Sequence, residues 1–177
     1  MIIVSENLSG IVRSLKICDQ LLAEEFSIKI RLDRQVRRLR EPKDGLAPIP
    51  YESPFNHKAY FEEPEQISES LIVGPRDCVL ACSQDEYNMP RGYFGLIQTK
   101  GSLARMFVSA TANDGQVEPG YSGKLTLELM NHSPFSVALR PGAVVAQLFI
   151  MRCSSEVSKP YSGRYQGAKG PTLPTFD

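Results

Sequence analysis

The sequence predicts a mainly β fold, an antiparallel barrel or sandwich preceded by one short helix, and three observations carry that expectation. After Gly74-Pro75 the chain breaks into short apolar runs, CVLAC, YFGLI, KLTLELM, FSVAL and AVVAQLFIM, separated by Gly, Pro and Asn. Residues 26–32, FSIKIRL, alternate apolar Phe26, Ile28, Ile30 and Leu32 with polar Ser27, Lys29 and Arg31, the period of a half-buried strand. Helical spacing is confined to the N-terminus, where Leu8, Ile11, Val12, Leu15 and Leu22 recur behind Ser5, a candidate N-cap.

In chain order, a helix from Ser5 to Leu22 leads into the strand at 26–32. The basic run Arg31, Arg34, Arg37, Arg38 and Arg40 then reads as a solvated face. Prolines at 42, 48, 50, 54 and 64 interrupt residues 41–69, which are expected to be irregular connection with at most one short strand. Arg140-Pro141-Gly142 forms a tight turn between the last two strands, Pro presetting φ and Gly accepting a positive one. The tail after Ser154 holds Pro160, Gly163, Gly167, Gly170, Pro171 and Pro174, too broken for a core element. Residues 154–177 are therefore expected to be a flexible C-terminal flap on a single domain spanning 1–177.

Composition narrows the classes. At 177 residues and 42% hydrophobic the chain buries one core. Twenty basic against twenty acidic residues give no excess charge to attract nucleic acid or an anionic membrane. No stretch approaches the roughly 18 apolar residues of a membrane span, and the first residues lack the pattern of an export signal. Cys18, Cys78, Cys82 and Cys153 are too sparse for a disulfide scaffold and fit a reducing cytoplasm. Cys78 and Cys82, four apart on a predicted strand, share a face and read as core residues. With only His57 and His132 as imidazoles, one chain cannot assemble a site needing several, and no zinc is expected.

The residues that carry chemistry lie in the second half. In KLTLELM (124–130), Leu125, Leu127 and Leu129 point to one face and Thr126, Glu128 and Met130 to the other. Glu128 is thus an acid within an apolar strand. On an open face it is simply solvated; lining a pocket, it is suited to accept and donate protons. The residues by themselves leave both readings open. Upstream, backbone N–H groups around Gly101 and Ser102, with Lys100 and Arg105 nearby, are the materials of a phosphate cradle, and Glu118-Pro119-Gly120-Tyr121 is a turn.

Five linked runs, TKGSLAR (99–105), NDGQVEPGYSG (113–123), KLTLELMN (124–131), ALRPGAVVAQLF (138–149) and YSGRYQGAKGPT (161–172), resemble the dCTP deaminase family in order and spacing, and FSIKIRL resembles its first strand. The resemblance implies a distorted antiparallel β-barrel, the jelly-roll-like fold shared with dUTPases. It puts the catalytic glutamate at Glu128 and the arginine supporting the reacting base at Arg105. Lys100 and Ser102 match the phosphate-binding run, Tyr161 and Arg164 the tail residues that close over the triphosphate, and Gln147 a glutamine of the last long strand. Glu118 matches the aspartate near the attacking water of dUTPases, and Gln116 lies beside it. The family further implies a homotrimer with sites between subunits, a deoxynucleoside triphosphate substrate, and Mg²⁺ bound through the phosphates rather than by protein side chains. Departures from its pattern are Gly101 for the first of two serines, Lys29 for an acid, Glu118 for Asp and Ala168 for glutamine.

The leading expectation is metal-free hydrolytic deamination of a deoxycytidine nucleotide, dCTP to dUTP and ammonia, with Glu128 as general base and acid. The P-C-x-x-C and H-x-E elements of zinc deaminases are absent from the sequence. One alternative is a dUTP diphosphohydrolase, or a bifunctional deaminase and dUTPase producing dUMP, for which Glu118 supplies the carboxylate. Glu128 argues against a pure dUTPase. A second alternative is a non-catalytic nucleotide-sensing trimer, suggested by Gly101 and Lys29.

Overall fold

The structure, a computed structural model, describes residues 1–51 and 53–176. Helix α1 (Ser5–Ser14) opens the chain, and a 3₁₀ turn at Gln20–Leu22 links it to β1 (Ile28–Arg31) and β2 (Gln35–Arg38). A single helical turn, α2 (His57–Tyr60), precedes β3 (Glu65–Gln66), β4 (Leu71–Val73), the long β5 (Cys78–Asn88) and β6 (Tyr93–Thr99). Another helical turn, α3 (Gly101–Ala104), leads to β7 (Val108–Ser109), β8 (Gln116–Val117), β9 (Ser122–Asn131), β10 (Val137–Leu139) and β11 (Val144–Arg152). The strands pair antiparallel in three sheets ordered β1-β11-β6-β8, β3-β2-β5-β9-β7 and β10-β4. This is the mainly β architecture expected from the runs of apolar residues.

The core sits between the two larger sheets, and period-two patterning puts it there. Ile28, Ile30 and Leu32 are fully buried, and Leu127 and Leu148 meet them from β9 and β11. Burial alternates through all ten residues of β9, so Leu125, Leu127 and Leu129 enter the core and Thr126, Glu128 and Met130 face away from it. The turn at Arg140-Pro141-Gly142 forms as expected, with Gly142 at φ 83° and the Ala143 N–H donating to the Arg140 carbonyl at 3.0 Å. No helix among the described residues is long and apolar enough to cross a membrane.

Several expectations are corrected. Helix α1 stops at Ser14, because Lys16 takes a left-handed φ of 52° that turns Ile17 into the core; the helix does not run to Leu22. Ser5 is not its N-cap: Val4 holds that position without a side-chain cap, and the Ser5 hydroxyl donates to Glu25 instead. Phe26 is exposed, so the first strand begins at Ile28. The strand read from CVLAC continues to Asn88, its register shifting between Cys82 and Glu86, which hid the alternation. Cys82 is buried as expected, but Cys78 at the strand's start is exposed.

The basic run is a clamp rather than a solvated face. Arg34 donates to the Ile67 and Ser68 carbonyls, and Arg38 reaches Glu65 and the Ile72 carbonyl. Arg40 binds the carbonyls of Lys58 and Phe61, and Arg31 pairs with Asp85. Four guanidiniums thereby satisfy backbone and carboxylate acceptors, three of them fixing the irregular 58–72 segment against β2.

Candidate active site

Glu128 lines a cavity of about 660 Å³. Its strand places it opposite Leu80 of β5, while on the other side residues 111–114 run alongside it: Thr111 bridges Glu128 and the Ala112 N–H donates to its carbonyl at 3.2 Å. That loop then curls over the side chain. The N–H groups of Asn113 and Asp114 both donate to Oε2, at 2.8 and 3.3 Å. Oε1 has no hydrogen-bond partner among the described residues. One oxygen is anchored by backbone that cannot rotate away, and the other is left for a ligand or water, the geometry a proton-transfer group requires.

The cavity also gathers Gln116, Glu118 and Tyr161, so four residues singled out from sequence meet in it. Glu118 opens the expected turn, in which the Tyr121 N–H donates to the Glu118 carbonyl at 3.1 Å and Gly120 takes φ 97°. Tyr161 packs on Tyr121, ring centroids 5.7 Å apart. Burial, with Tyr161 and Glu118 close by, pushes the Tyr121 phenol up to about 12. It therefore stays protonated and donates to the Lys124 carbonyl. Asp114 and the exposed thiol of Cys78 add to the polar lining, and Leu39, Phe61, Leu80 and Met130 supply an apolar side.

The other expected site residues lie outside this cavity. Lys100 precedes α3 and stands 3.9 Å from Glu24. Ser102 is exposed in that turn. Arg105 closes it, its Nη1 folded back onto the Gly101 carbonyl at 2.9 Å, so Arg105 does not touch Glu128 within one protomer. A Cβ at position 101 would stand 3.0 Å from that Nη1, so glycine there gives the arginine room to fold back. Gln147 sits on β11 and donates to the buried Ser27 hydroxyl at 2.8 Å. Arg164 is exposed. The two groups are thus separate: an acid-bearing cavity, and a cationic 100–105 turn elsewhere on the surface.

The tail is laid along β9. Gly167 N–H donates to the Ser122 carbonyl at 2.7 Å, Lys124 N–H to the Ala168 carbonyl at 2.8 Å, and Tyr161 N–H to the Pro119 carbonyl at 2.8 Å. Thr172, Leu173 and Pro174 reach the cavity wall. Sequence reasoning missed this wall, and also Arg37, the one cationic side chain lining the cavity among the described residues. The Asn113 and Asp114 contacts are made by backbone and leave no mark in residue type. Among the described residues no group of three or more His, Cys, Asp or Glu is placed to hold a metal ion.

A profile described as dCTP deaminase-like matches residues 11–153. The chain belongs to the dCTP deaminase-like family. Named relatives span most of its length: a Thermobifida fusca protein called dCTP deaminase, dUMP-forming, is 33% identical over 159 residues, covering 87% of this chain and 80% of its own. A Kocuria rhizophila protein of the same name is 31% identical over 169 residues, covering 93% and 86%. The crystal structure of 2′-deoxycytidine 5′-triphosphate deaminase from Agrobacterium tumefaciens matches with a TM-score of 0.74 at 13% identity, a likeness of fold. It covers 88% of this chain, which spans about half (49%) of that longer one. The dCTP deaminase-like fold expected from the five sequence runs is therefore the fold found.

Proposed function

We propose that this chain is a dCTP deaminase that carries its substrate through to dUMP, at sites completed between three copies. The observation that carries the reading is Glu128, with Oε2 pinned by two N–H groups and Oε1 open to a cavity that also contains Glu118. Deamination and diphosphate cleavage each call for a carboxylate near an attacking water, and here the two lie in one cavity. The relatives named dUMP-forming favour this over release of dUTP.

In the reaction, Glu128 Oε1 takes a proton from water as the oxygen bonds to C4 of the cytosine. The proton passes to N3; a second proton, taken from the new C4 hydroxyl, passes to the amino group, the C4–N bond breaks as C4=O forms, and ammonia leaves the uracil base. A second water, positioned by Glu118, attacks the α-phosphorus; the bond to the bridging oxygen of the β-phosphate breaks, leaving dUMP and pyrophosphate. Overall, dCTP and two waters give dUMP, ammonia and pyrophosphate. Mg²⁺ carried by the phosphates would neutralise their charge.

Lys100, Ser102 and Arg105 lie outside the cavity of their own protomer, and we assign them to the cavity of a neighbouring copy. There they would hold phosphates and keep a positive charge near Glu128. Tyr161 and Arg164 would close over the triphosphate, and Gln147 would contribute to substrate binding. A nucleotide-sensing trimer is the second reading, favoured by the folded-back Arg105 over Gly101. Incubation with dCTP and Mg²⁺ separates the readings. Equimolar ammonia, pyrophosphate and dUMP support the bifunctional enzyme, and dUTP with ammonia alone a simple deaminase. Tight binding without turnover indicates a sensor.

A further inference from the structure

We propose that Lys29 is a polyphosphate-binding residue of this chain, that it forms with Lys100 a two-lysine clamp for the triphosphate, and that Glu24 is the counter-ion which phosphate displaces. The proposal rests on the assignment of Lys100 to phosphate binding. Position 29 is one of the departures from the family pattern, a lysine where an acid is usual, and the reaction described above leaves it without a part.

The β1-β11-β6 sheet brings the two lysines to one place. Lys29 pairs with Gln147 of β11, and Gln147 with Gln98 of β6, so the three stand in one row across the sheet. Their neighbours Ile28, Ile30, Ala146, Leu148 and Ile97 are buried, which leaves the row on the outer face. Lys100 follows the end of β6, its N–H donating to the Val145 carbonyl at 2.9 Å. Glu24 reaches this face from the turn before β1, where Ala23 bridges Ile28 and the Glu24 N–H donates to the Ser27 carbonyl at 2.8 Å. Its two oxygens are divided between the lysines. Oε1 lies 3.4 Å from Lys29 Nζ, and Oε2 lies 3.9 Å from Lys100 Nζ.

Both separations exceed the roughly 2.7–2.9 Å of a close charge-assisted hydrogen bond. The three side chains are 33–34% exposed, open to a ligand without being fully solvated. One carboxylate held this loosely between two ammonium groups is a weak tie, and it neutralises only one of them. A polyphosphate carries several charges and many acceptor oxygens, so it displaces Glu24 from both lysines, with Ser102 and Arg105 on the adjoining turn. An acid at position 29 would repel the same phosphates and call for a divalent ion between the like charges. Lysine supplies the positive charge itself, and the clamp therefore holds polyphosphate without Mg²⁺.

Titration calorimetry of the full chain with inorganic tripolyphosphate tests this. The wild type should bind it in the presence of a chelator. Lys29→Ala should weaken that binding about tenfold and Glu24→Gln should tighten it about threefold. Opposite signs distinguish a clamp and its counter-ion from a merely structural ion pair, whose two halves would act alike. Lys29→Arg should bind within about threefold of wild type, because the charge is kept, and Lys29→Asp should bind only once Mg²⁺ is added. The buried Tyr87 hydroxyl donates to the Lys29 carbonyl, not to its side chain, so all these variants keep that contact. With dCTP as substrate, KM should follow the same order as tripolyphosphate affinity. No binding by the wild type in chelator overturns the proposal, as do unchanged binding in Lys29→Ala, changes of the same sign in Lys29→Ala and Glu24→Gln, or chelator-resistant binding in Lys29→Asp. The expected binding pattern in a protein that releases no ammonia from dCTP upholds the clamp and refutes the deaminase reading. Deamination with KM unchanged in Lys29→Ala refutes the clamp alone.

Discussion

Replacing Gly123 by Ala strikes the seam between β9 and the tail. Gly123 has φ 142°, a conformation that side-chain-bearing residues rarely adopt, and a Cβ there would lie 2.7 Å from Ala168 N and 3.0 Å from Ala168 O. All the obstructing atoms are backbone, so no side chain can swing aside. Keeping the tail in place means accepting backbone strain of about 1–3 kcal/mol plus the steric clash. Releasing it forfeits the bonds at Ser122, Lys124 and Gly120, four hydrogen bonds at about 0.5–1.5 kcal/mol net each. Both routes cost about 2 kcal/mol or more, and release leaves the two main sheets intact while freeing the tail. Gly123→Ala should therefore lower Tm by about 4 °C or more, at roughly 2–4 °C per kcal/mol, while cleavage in the tail by a dilute protease accelerates at least tenfold. Unchanged Tm together with unchanged tail cleavage would show that strand and tail do not meet as described.

Other perturbations have equally definite outcomes. Asp33 is pushed up by burial, but hydrogen bonds from Lys124 and from the Arg34 and Gln35 N–H groups outweigh this and hold it below its ordinary value. Its contribution to stability is present above the unfolded pKa near ~3.9 and is lost as pH falls through the lower folded value. Lys124, lowered by burial but raised more by Asp33, contributes below its ordinary pKa and loses that contribution as pH rises through the raised one. Asp33→Asn should cost about 1.5–3 kcal/mol at neutral pH, and the gap to wild type should narrow in acid melts. A thiol-alkylating reagent should label exposed Cys78 first and spare Cys82, buried and pushed up to about 12 by desolvation; dCTP should slow the Cys78 reaction, which mass spectrometry would follow. Glu118→Gln should cut pyrophosphate release by about 10² while ammonia still forms, so that dUTP accumulates.

Where the sequence was readable, and where it was not, follows from what each feature writes into residue type. The alternation of β9 set three leucines against Glu128, and burial agrees residue by residue. The Arg-Pro-Gly and Glu-Pro-Gly-Tyr turns were equally plain, because a positive φ calls for glycine. The basic run was misread because its acceptors are mostly carbonyls, which every residue carries. Helix α1 was overextended because Leu15 and Leu22 keep helical spacing across a left-handed Lys16. Within the site, Gln116, Glu118 and Tyr161 were found alongside Glu128, whereas the two N–H donors to Glu128 depend on how a loop closes over a strand. Arg105 was expected beside Glu128, and within one protomer it folds onto Gly101 instead.

The central claim is that Glu128 moves the protons of deamination. Glu128→Gln keeps the shape of the side chain and an oxygen to accept the Asn113 and Asp114 N–H groups, but it cannot take a proton from water. Ammonia release from saturating dCTP should fall by about 10² or more, with dCTP affinity by titration calorimetry within threefold of wild type. Ammonia release at the wild-type rate in Glu128→Gln would contradict the account.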